Sequence, residues 1–123
     1  MTAIVSGVDS LRRQEATEQA RRRKTNESIE GSMQSMGRCA ANSFFCECCD
    51  PCCARTVTAT IREYESVRER PNHFLIVLNH ENPEVESVVS ETERFAVVET
   101  LTGEASKVAL RTDPRSLYVP ERN

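Results

Sequence analysis

The apolar residues of this chain are unevenly spaced, and the first third has very few. Residues 9–30 are polar and lack Gly and Pro, and after Leu11 their only apolar positions are Ala16, Ala20 and Ile29. This composition favours a helix, but without an apolar stripe tertiary packing would hold it weakly. We therefore expect a solvated helix or a partly disordered arm.

The arm is followed by a segment with linker composition and then by a strand and a helix. Residues 31–43 include two Gly, three Ser and two Met, which is typical of a linker. The alternation over residues 56–60 predicts a strand. Thr60 and Glu63 match a capping box, in which each side chain satisfies a free backbone amide at a helix start. Pro71 would end that helix.

Two further apolar runs predict strands, at residues 74–78 and 95–99. Between them, Asn82-Pro83-Glu84 has the form of a second helix start, with a cap, a Pro in the first position and an acid in the first turn. The side chains of that helix facing the core would be Val85, Val88 and Val89. Gly103 would turn the chain, and residues 105–110 suit a last helical turn.

The overall charge points to no class of partner. The 123 residues hold 16 basic and 19 acidic side chains, a net charge of −3. No stretch approaches the ~18 apolar residues of a membrane span, so we expect no membrane association. The first residues also lack the basic and apolar regions of a secretory signal. We expect a cytoplasmic protein, whose thiols stay reduced.

Six cysteines lie between Cys39 and Cys53, and five of them fall within residues 46–53. In a reducing compartment such a cluster indicates a metal site or a redox site. A Cys-x-Cys pair and an Asp50-Pro51 turn can bring three thiolates to one zinc ion, which needs four ligands. The spacing does not choose among Cys48, Cys49, Cys52 and Cys53. The remaining ligand would be Cys39, His73 or His80, of which His80, just past a buried strand, is best placed.

The cysteine cluster also allows a redox interpretation. Cys49-Asp50-Pro51-Cys52 is a Cys-x-x-Cys motif, but a strand follows it, whereas thiol oxidoreductases place a helix there. Catalytic thiol chemistry is therefore disfavoured. A thiol switch is still possible, in which a Cys49–Cys52 disulfide expels the metal.

The sequence predicts an α+β fold with a small zinc-stabilised domain. That domain would run strand-helix-strand-helix-strand over residues 44–113, preceded by a charged N-terminal helix. Residues 1–43 would form the charged helical arm and a flexible linker, and residues 114–123 a loose C-terminal tail.

Several short motifs occur in one order along the chain. They are Asn26-Glu27-Ser28-Ile29-Glu30, Cys46-Glu47-Cys48, Asp50-Pro51 followed by Cys53, Glu63-Tyr64-Glu65-Ser66-Val67-Arg68, His80-Glu81, Pro83-Glu84-Val85-Glu86-Ser87-Val88-Val89, Val97-Val98-Glu99 and Asp113-Pro114-Arg115. With them the chain resembles a family of short, uncharacterised actinobacterial proteins. The resemblance implies no activity, but it implies a zinc ligand set. That set is Cys46, Cys48, Cys53 and His80. The chain departs from the family at Asn79, where Gly is usual, but Asn also tolerates a left-handed backbone.

We expect a non-enzymatic zinc-binding interaction module that docks on a protein partner. A closed set of three thiolates and one imidazole disfavours a catalytic zinc, which keeps an open position. A redox-responsive switch is one alternative. The other is a nucleic-acid-associated protein that contacts phosphates through its basic run, although no aromatic residue accompanies that run for base stacking. The run is Arg21, Arg22, Arg23 and Lys24.

Overall fold

The fold is mixed α+β. A computed structural model describes residues 2–35, 41–101 and 103–115. Its elements, in chain order within these ranges, are α1 (Thr2–Ser35), β1 (Asn42–Phe45), β2 (Thr56–Ala59), α2 (Ile61–Val67), β3 (His73–Ile76), β4 (Glu86–Glu91), β5 (Ala96–Thr100) and α3 (Glu104–Arg111). The strands form two antiparallel sheets, a β1–β2 pair and a three-stranded sheet in the order β3-β5-β4.

Several local predictions are confirmed. The predicted strands correspond to β2, β3 and β5, and the last helical turn to α3. The capping box at the start of α2 is formed on both sides. The Glu63 amide donates to the Thr60 hydroxyl at 3.0 Å, and the Thr60 amide donates to the Glu63 carboxylate at 2.8 Å.

Strand β3 is buried because it lies between two apolar clusters. Leu75 packs in one cluster with Phe44, Tyr64 and the side chains of α2 and the β1–β2 pair. Phe74 and Ile76 pack in the other, which includes Cys46 and Cys48. Successive strand residues point to opposite faces, so a short continuous apolar run serves both clusters. The cysteine segment is thereby placed directly on the core.

The expectation of a solvated or disordered arm is wrong, because α1 packs against the rest of the protein. Its buried residues recur at helical spacing, but they are small or polar. They are Ala16, Gln19, Ala20, Arg23, Asn26 and Glu30. Arg23 is fully buried; it donates to the Ala109 carbonyl at 2.9 Å, and its guanidinium lies 4.8 Å from the centre of the Phe74 ring. The helix therefore packs on the rest of the protein through hydrogen bonds and small side chains, and not through the apolar stripe that packed helices usually have.

The predicted linker and tail are shorter than expected. Helix α1 continues through Gly31 to Ser35, and β1 already begins at Asn42. At the other end, Asp113 is buried against Arg68, and Arg115 bonds to the Glu27 carboxylate of α1 at 2.9 Å. Arg115, in the predicted loose tail, also pairs with Glu65 of α2 at 2.8 Å and therefore links α1 to α2. Residues 116–123 lie outside the described part.

The predicted second helix is wrong, and the segment forms a turn followed by strand β4. The amides of Val85 and Glu86 both donate to the Asn82 carbonyl at 3.0 Å, which closes a turn. Beyond it, β-branched side chains suit an extended strand, and Val88 pairs opposite Val98 of β5. Val85 is buried as predicted, whereas Val88 and Val89 are 37% and 48% exposed.

Candidate metal centre

The segment of residues 46–53, here called the knuckle, begins as an extension of β1 along the end of β3. The Cys46 amide donates to the Arg55 carbonyl at 3.0 Å, and the Glu47 amide donates to the Leu75 carbonyl at 2.7 Å. In this extended stretch alternate side chains face alternate sides. Cys46 and Cys48 consequently share one apolar cluster, while the side chain of Glu47 points to the opposite side, towards Tyr64.

A tight turn returns the knuckle towards its own start. The Asp50 side chain accepts a hydrogen bond from the Cys52 amide at 2.9 Å, and the Asp50 carbonyl accepts one from the Cys53 amide at 3.1 Å. This is the local capping by which Asp initiates turns. The turn predicted at Asp50-Pro51 thus brings Cys53 back beside Cys46 and Cys48.

His80 reaches the same place from the end of β3. Its amide donates to the Val77 carbonyl at 3.0 Å, and Asn79 takes a positive φ of 70° to make the turn. Asn is among the few residues other than Gly that adopt this conformation readily. The expectation that Asn79 keeps the turn is confirmed.

The structure brings together the side chains of Cys46, Cys48, Cys53 and His80. Their four ligand atoms all lie within 4.8 Å of one another. The Nδ1 atom of His80 is 3.6 Å from the Sγ atom of Cys46 and 3.6 Å from that of Cys53. Around a tetrahedral zinc ion, with Zn–S of about 2.3 Å and Zn–N of about 2.0 Å, a sulfur and a nitrogen ligand are about 3.5 Å apart. The four residues are close enough to hold a metal ion, and the donor set fits zinc.

The polar surroundings of the sulfurs suit thiolates. The Val77 amide donates to Cys46 Sγ at 3.2 Å, and the Arg22 guanidinium donates to Cys48 Sγ at 3.5 Å. The hydrogen bond from the Cys46 thiol lowers the pKa of Cys48 to about 4, and the same hydrogen bond together with burial raises the pKa of Cys46. A bound metal would favour the thiolate form of both, since ligand thiols bind as thiolates.

Glu47, between two of the cysteines, is a buried anchor for the knuckle. Its carboxylate accepts hydrogen bonds from Asn26 of α1 and the Tyr64 hydroxyl of α2, both at 2.8 Å, and from the Leu75 amide of β3 at 2.9 Å. Burial raises the pKa of this carboxyl, and the three donors act against that rise. The side chain thus ties three elements to the backbone that carries the ligands.

The two cysteines proposed for redox chemistry lie in different environments. Cys49 is buried in a cluster with Ala16, Val85 and α3 residues, with its Sγ atom 4.0 Å from a Glu86 carboxylate oxygen. Burial, with Glu86 nearby, raises the pKa of the Cys49 thiol. Cys52 is exposed. A buried thiol of raised pKa is a poor nucleophile, so this arrangement does not favour a poised Cys49–Cys52 pair.

The other ligand candidates do not join the cluster among the described residues. His73 opens β3 at its far end, where its Nε2 atom is 3.2 Å from the Glu99 carboxylate. Cys39 lies outside the described residues. The spacing of the cysteines does not show which of the later ones are metal ligands. In the structure, the turn at Asp50 places Cys53 at the cluster.

The basic run of α1 does not form one charged surface, because successive helical positions point in different directions. Arg23 is buried, and Arg22 contacts the knuckle while its Nε atom pairs with Glu18 at 3.2 Å. Arg21 and Lys24 are exposed, although Arg21 also pairs with Glu18. Arg22 and Arg23 are thus poorly placed for phosphates, and a nucleic-acid contact through Arg21 and Lys24 stays a prediction.

Sequence reasoning missed the roles of Arg22, Glu47 and Gln19 around the site. Gln19 donates to the Glu47 carbonyl at 2.9 Å and to the Glu86 carboxylate at 3.1 Å. Gln19, Arg22 and Asn26 recur at intervals of three and four, so they lie on one face of α1. In the sequence alone, a polar stripe of this kind is typical of a solvent-exposed helix face.

Comparison with known proteins yields no match to a family model, a curated protein or a solved structure. The resemblance to actinobacterial proteins stays a prediction, and function has to be argued from the site. Among the helices that the structure describes, none has the length and apolar character needed to cross a membrane.

Proposed function

We propose that the protein is a non-enzymatic module folded around a structural zinc ion, bound by Cys46, Cys48, Cys53 and His80. The observation that supports this proposal is the convergence of four ligand atoms within 4.8 Å from two separate parts of the chain. Three thiolates and an imidazole in a tetrahedral arrangement favour zinc among the common divalent metals.

The site would stabilise the fold because it links the knuckle to the end of the central β-structure. Structural zinc contributes folding free energy directly, with apparent values of about 10–16 kcal/mol in small zinc-finger peptides. Cys46 and Cys48 already belong to the apolar cluster of β3 and β5. Zinc would hold Cys53 and His80 against that cluster.

A binding role accords with the closed ligand set. Four protein ligands fill a tetrahedron, whereas catalytic zinc keeps a position for water or substrate. The protein would therefore act by docking on a protein partner. The exposed valines of β4, Val88 and Val89, are compatible with such a contact, since β4 is an edge strand among the described residues.

Native mass spectrometry tests the metal. Protein purified under reducing conditions is expected to carry one zinc ion per chain and to lose part of its fold on chelation, as followed by circular dichroism. Replacement by cobalt should give the spectrum of a closed tetrahedral site with three sulfur ligands. A metal-free chain that is fully folded would refute the structural zinc, and a cobalt spectrum with an exchangeable water ligand would favour an enzyme.

A further inference from the structure

The face of α1 towards the knuckle is built from hydrogen-bond donors. The Arg22 Nη1 atom donates to the Cys48 carbonyl at 3.2 Å and lies 3.5 Å from both the Cys46 carbonyl oxygen and Cys48 Sγ. The Asn26 side chain exchanges two hydrogen bonds of 2.8 Å with the backbone of Phe45. Gln19 donates to the Glu47 carbonyl. Three successive turns of α1 thus bind the backbone that carries two of the ligands.

We propose that α1 is part of the metal centre, with Arg22 as the positioning residue that joins them, so that metal binding and α1 docking stabilise each other. The inference rests on the zinc site proposed above. Three thiolates, a neutral imidazole and a divalent ion sum to one negative charge. Arg22, whose side chain is only 11% exposed, shares the Glu18 carboxylate with Arg21, so this group of three keeps one positive charge, and Arg22 places its guanidinium beside Cys48. Hydrogen bonds from a cation to an anionic acceptor are the stronger kind.

The coupling follows from the contacts that hold the knuckle and α1 in place. The carbonyls of Cys46 and Cys48 face Arg22 in the folded knuckle, and a metal ion on the four ligands would stabilise that shape further. In turn, α1 has no apolar stripe, so its docking depends on such polar partners. Thermodynamic linkage requires the effect to be equal in both directions. Loss of metal should therefore loosen α1, and loss of Arg22 should weaken metal binding.

The loosening should be confined to part of the helix. Near its C-terminal end, Glu27 and Glu30 bond to Arg115 at 2.9 and 3.0 Å, and Glu27 also pairs with Arg68. These contacts lie away from the knuckle and do not involve the ligand residues. They should hold residues 27–33 in place, and the bonds of Arg23 to Ala109 and Pro71 should hold that position, when the contacts of Gln19 and Arg22 with the knuckle are lost.

The first test compares the zinc affinity of Arg22→Met with that of Arg21→Met, by competition with a chelator. Met keeps an unbranched apolar stem and a similar helix propensity. The neighbouring Arg21 shares the Glu18 partner but is exposed, so it serves as the matched control. Arg22→Met should bind zinc about 10–100-fold more weakly, the usual effect of removing a residue that supports a metal ligand. Arg21→Met should differ from wild type by less than about twofold, and Arg22→Lys should recover part of the loss.

Two readouts separate this role from a general effect on folding. In the cobalt form, loss of the hydrogen bond to Cys48 should move the sulfur-to-cobalt charge-transfer band to longer wavelength in Arg22→Met and not in Arg21→Met. Hydrogen exchange of the wild type should quicken on chelation for residues 19–22 more than for residues 27–33. The wild-type exchange experiment needs no variant to fold.

The outcomes are distinct. Equal zinc affinity and equal cobalt spectra in Arg22→Met and the wild type would overturn the coupling and leave the zinc site intact. Unchanged exchange in α1 on chelation would overturn it as well. A wild-type chain that binds no zinc would refute the proposed site, and this inference with it.

Discussion

The Sγ atom of Cys53 lies 3.6 Å from the Nδ1 atom of His80, although 27 residues separate them in the chain. The intervening segment contains β2, α2 and β3, so this contact closes a loop that includes these three elements. A bond through a metal at this point would restrict the unfolded chain and stabilise the folded one. The turn at Asp50 brings Cys53 to this contact, and the turn at Asn79 brings His80 to it.

Replacing His80 tests the ligand set against the other histidine of the chain. His80→Ala should weaken zinc binding by more than about 100-fold, since it removes a ligand itself and support residues alone account for about 10–100-fold. It should also lower the midpoint of urea denaturation. His73→Ala is the control, because His73 contacts Glu99 at the far end of β3. Equal zinc affinity in the wild type and His80→Ala would exclude His80 as a ligand.

The redox alternative is tested by replacing Cys49 and Cys52 together with Ala. We expect the double variant to bind one zinc ion per chain with wild-type affinity, because neither thiol belongs to the four-ligand cluster. Peroxide should release zinc from both proteins at the same rate, measured with a chromogenic chelator. Markedly slower release from the double variant would mean that these thiols sense the oxidant, and would restore the switch as the leading function.

Glu47→Gln should lower the free energy of unfolding by about 1–3 kcal/mol, the usual effect of leaving a buried partner unpaired. The carboxylate accepts from donors on both oxygens, namely Asn26, Tyr64 and the Leu75 amide. In Glu47→Gln, the side-chain NH₂ group would face some of these donors and could not accept their hydrogen bonds. Urea denaturation with zinc present measures the change.

Glu84→Gln is the matched control for Glu47→Gln, because Glu84 is a glutamate with 69% side-chain exposure that forms an ion pair with Arg12. Exposed ion pairs contribute about 0–1 kcal/mol, so this variant should stay near the wild type. Similar losses in the two variants would show that Glu47 does not anchor the knuckle.

The ligand set and the fold of α1 differ in how far the sequence could predict them. The capping box, the Asp50 turn and the strand ahead of His80 are local signals, and each led to the observed structure. Docking of α1 was missed because Arg23 and Asn26 are buried through bonds to residues far along the chain, such as Ala109 and Phe45. Such partners are visible only in three dimensions. The Asn82 turn led to a wrong prediction for another reason, since its helix-like start is followed by strand β4, in which Val88 pairs with Val98 of β5.

Asn79 allows a test of the turn that carries His80. Its φ of 70° favours Gly or Asn, and other residues in this region lose about 1–2 kcal/mol. Asn79→Ala should therefore lower the free energy of unfolding by about 1 kcal/mol and weaken zinc binding, whereas Asn79→Gly should leave both near wild type. Calorimetry and chelator competition provide the two measurements. If Ala were tolerated as well as Gly, the left-handed turn would not be what positions His80.

Glu30 should make the stability of the protein depend on pH. Burial, together with Glu65 close by, raises the pKa of Glu30 from 4.5 to about 8, while Arg115 lowers that of Glu65 to about 2. Between about pH 5 and pH 8 the folded chain keeps a proton on Glu30 that the unfolded chain has lost, so stability falls as the pH rises. Glu65 stays ionised in both states over this window and contributes no slope.

Glu30→Gln removes the titrating group while it keeps the shape of the side chain. At saturating zinc, the free energy of unfolding of the wild type relative to that of the variant should decrease from pH 5 to pH 8, by at most about 1.4 kcal/mol per pH unit. Zinc binding has its own pH dependence, but it is common to both proteins and cancels in the difference. Urea denaturation of both proteins at four pH values would measure this difference in the free energy of unfolding. Parallel curves would show that Glu30 is already ionised in the fold, with Arg115, which bonds to it, holding its pKa near the ordinary value.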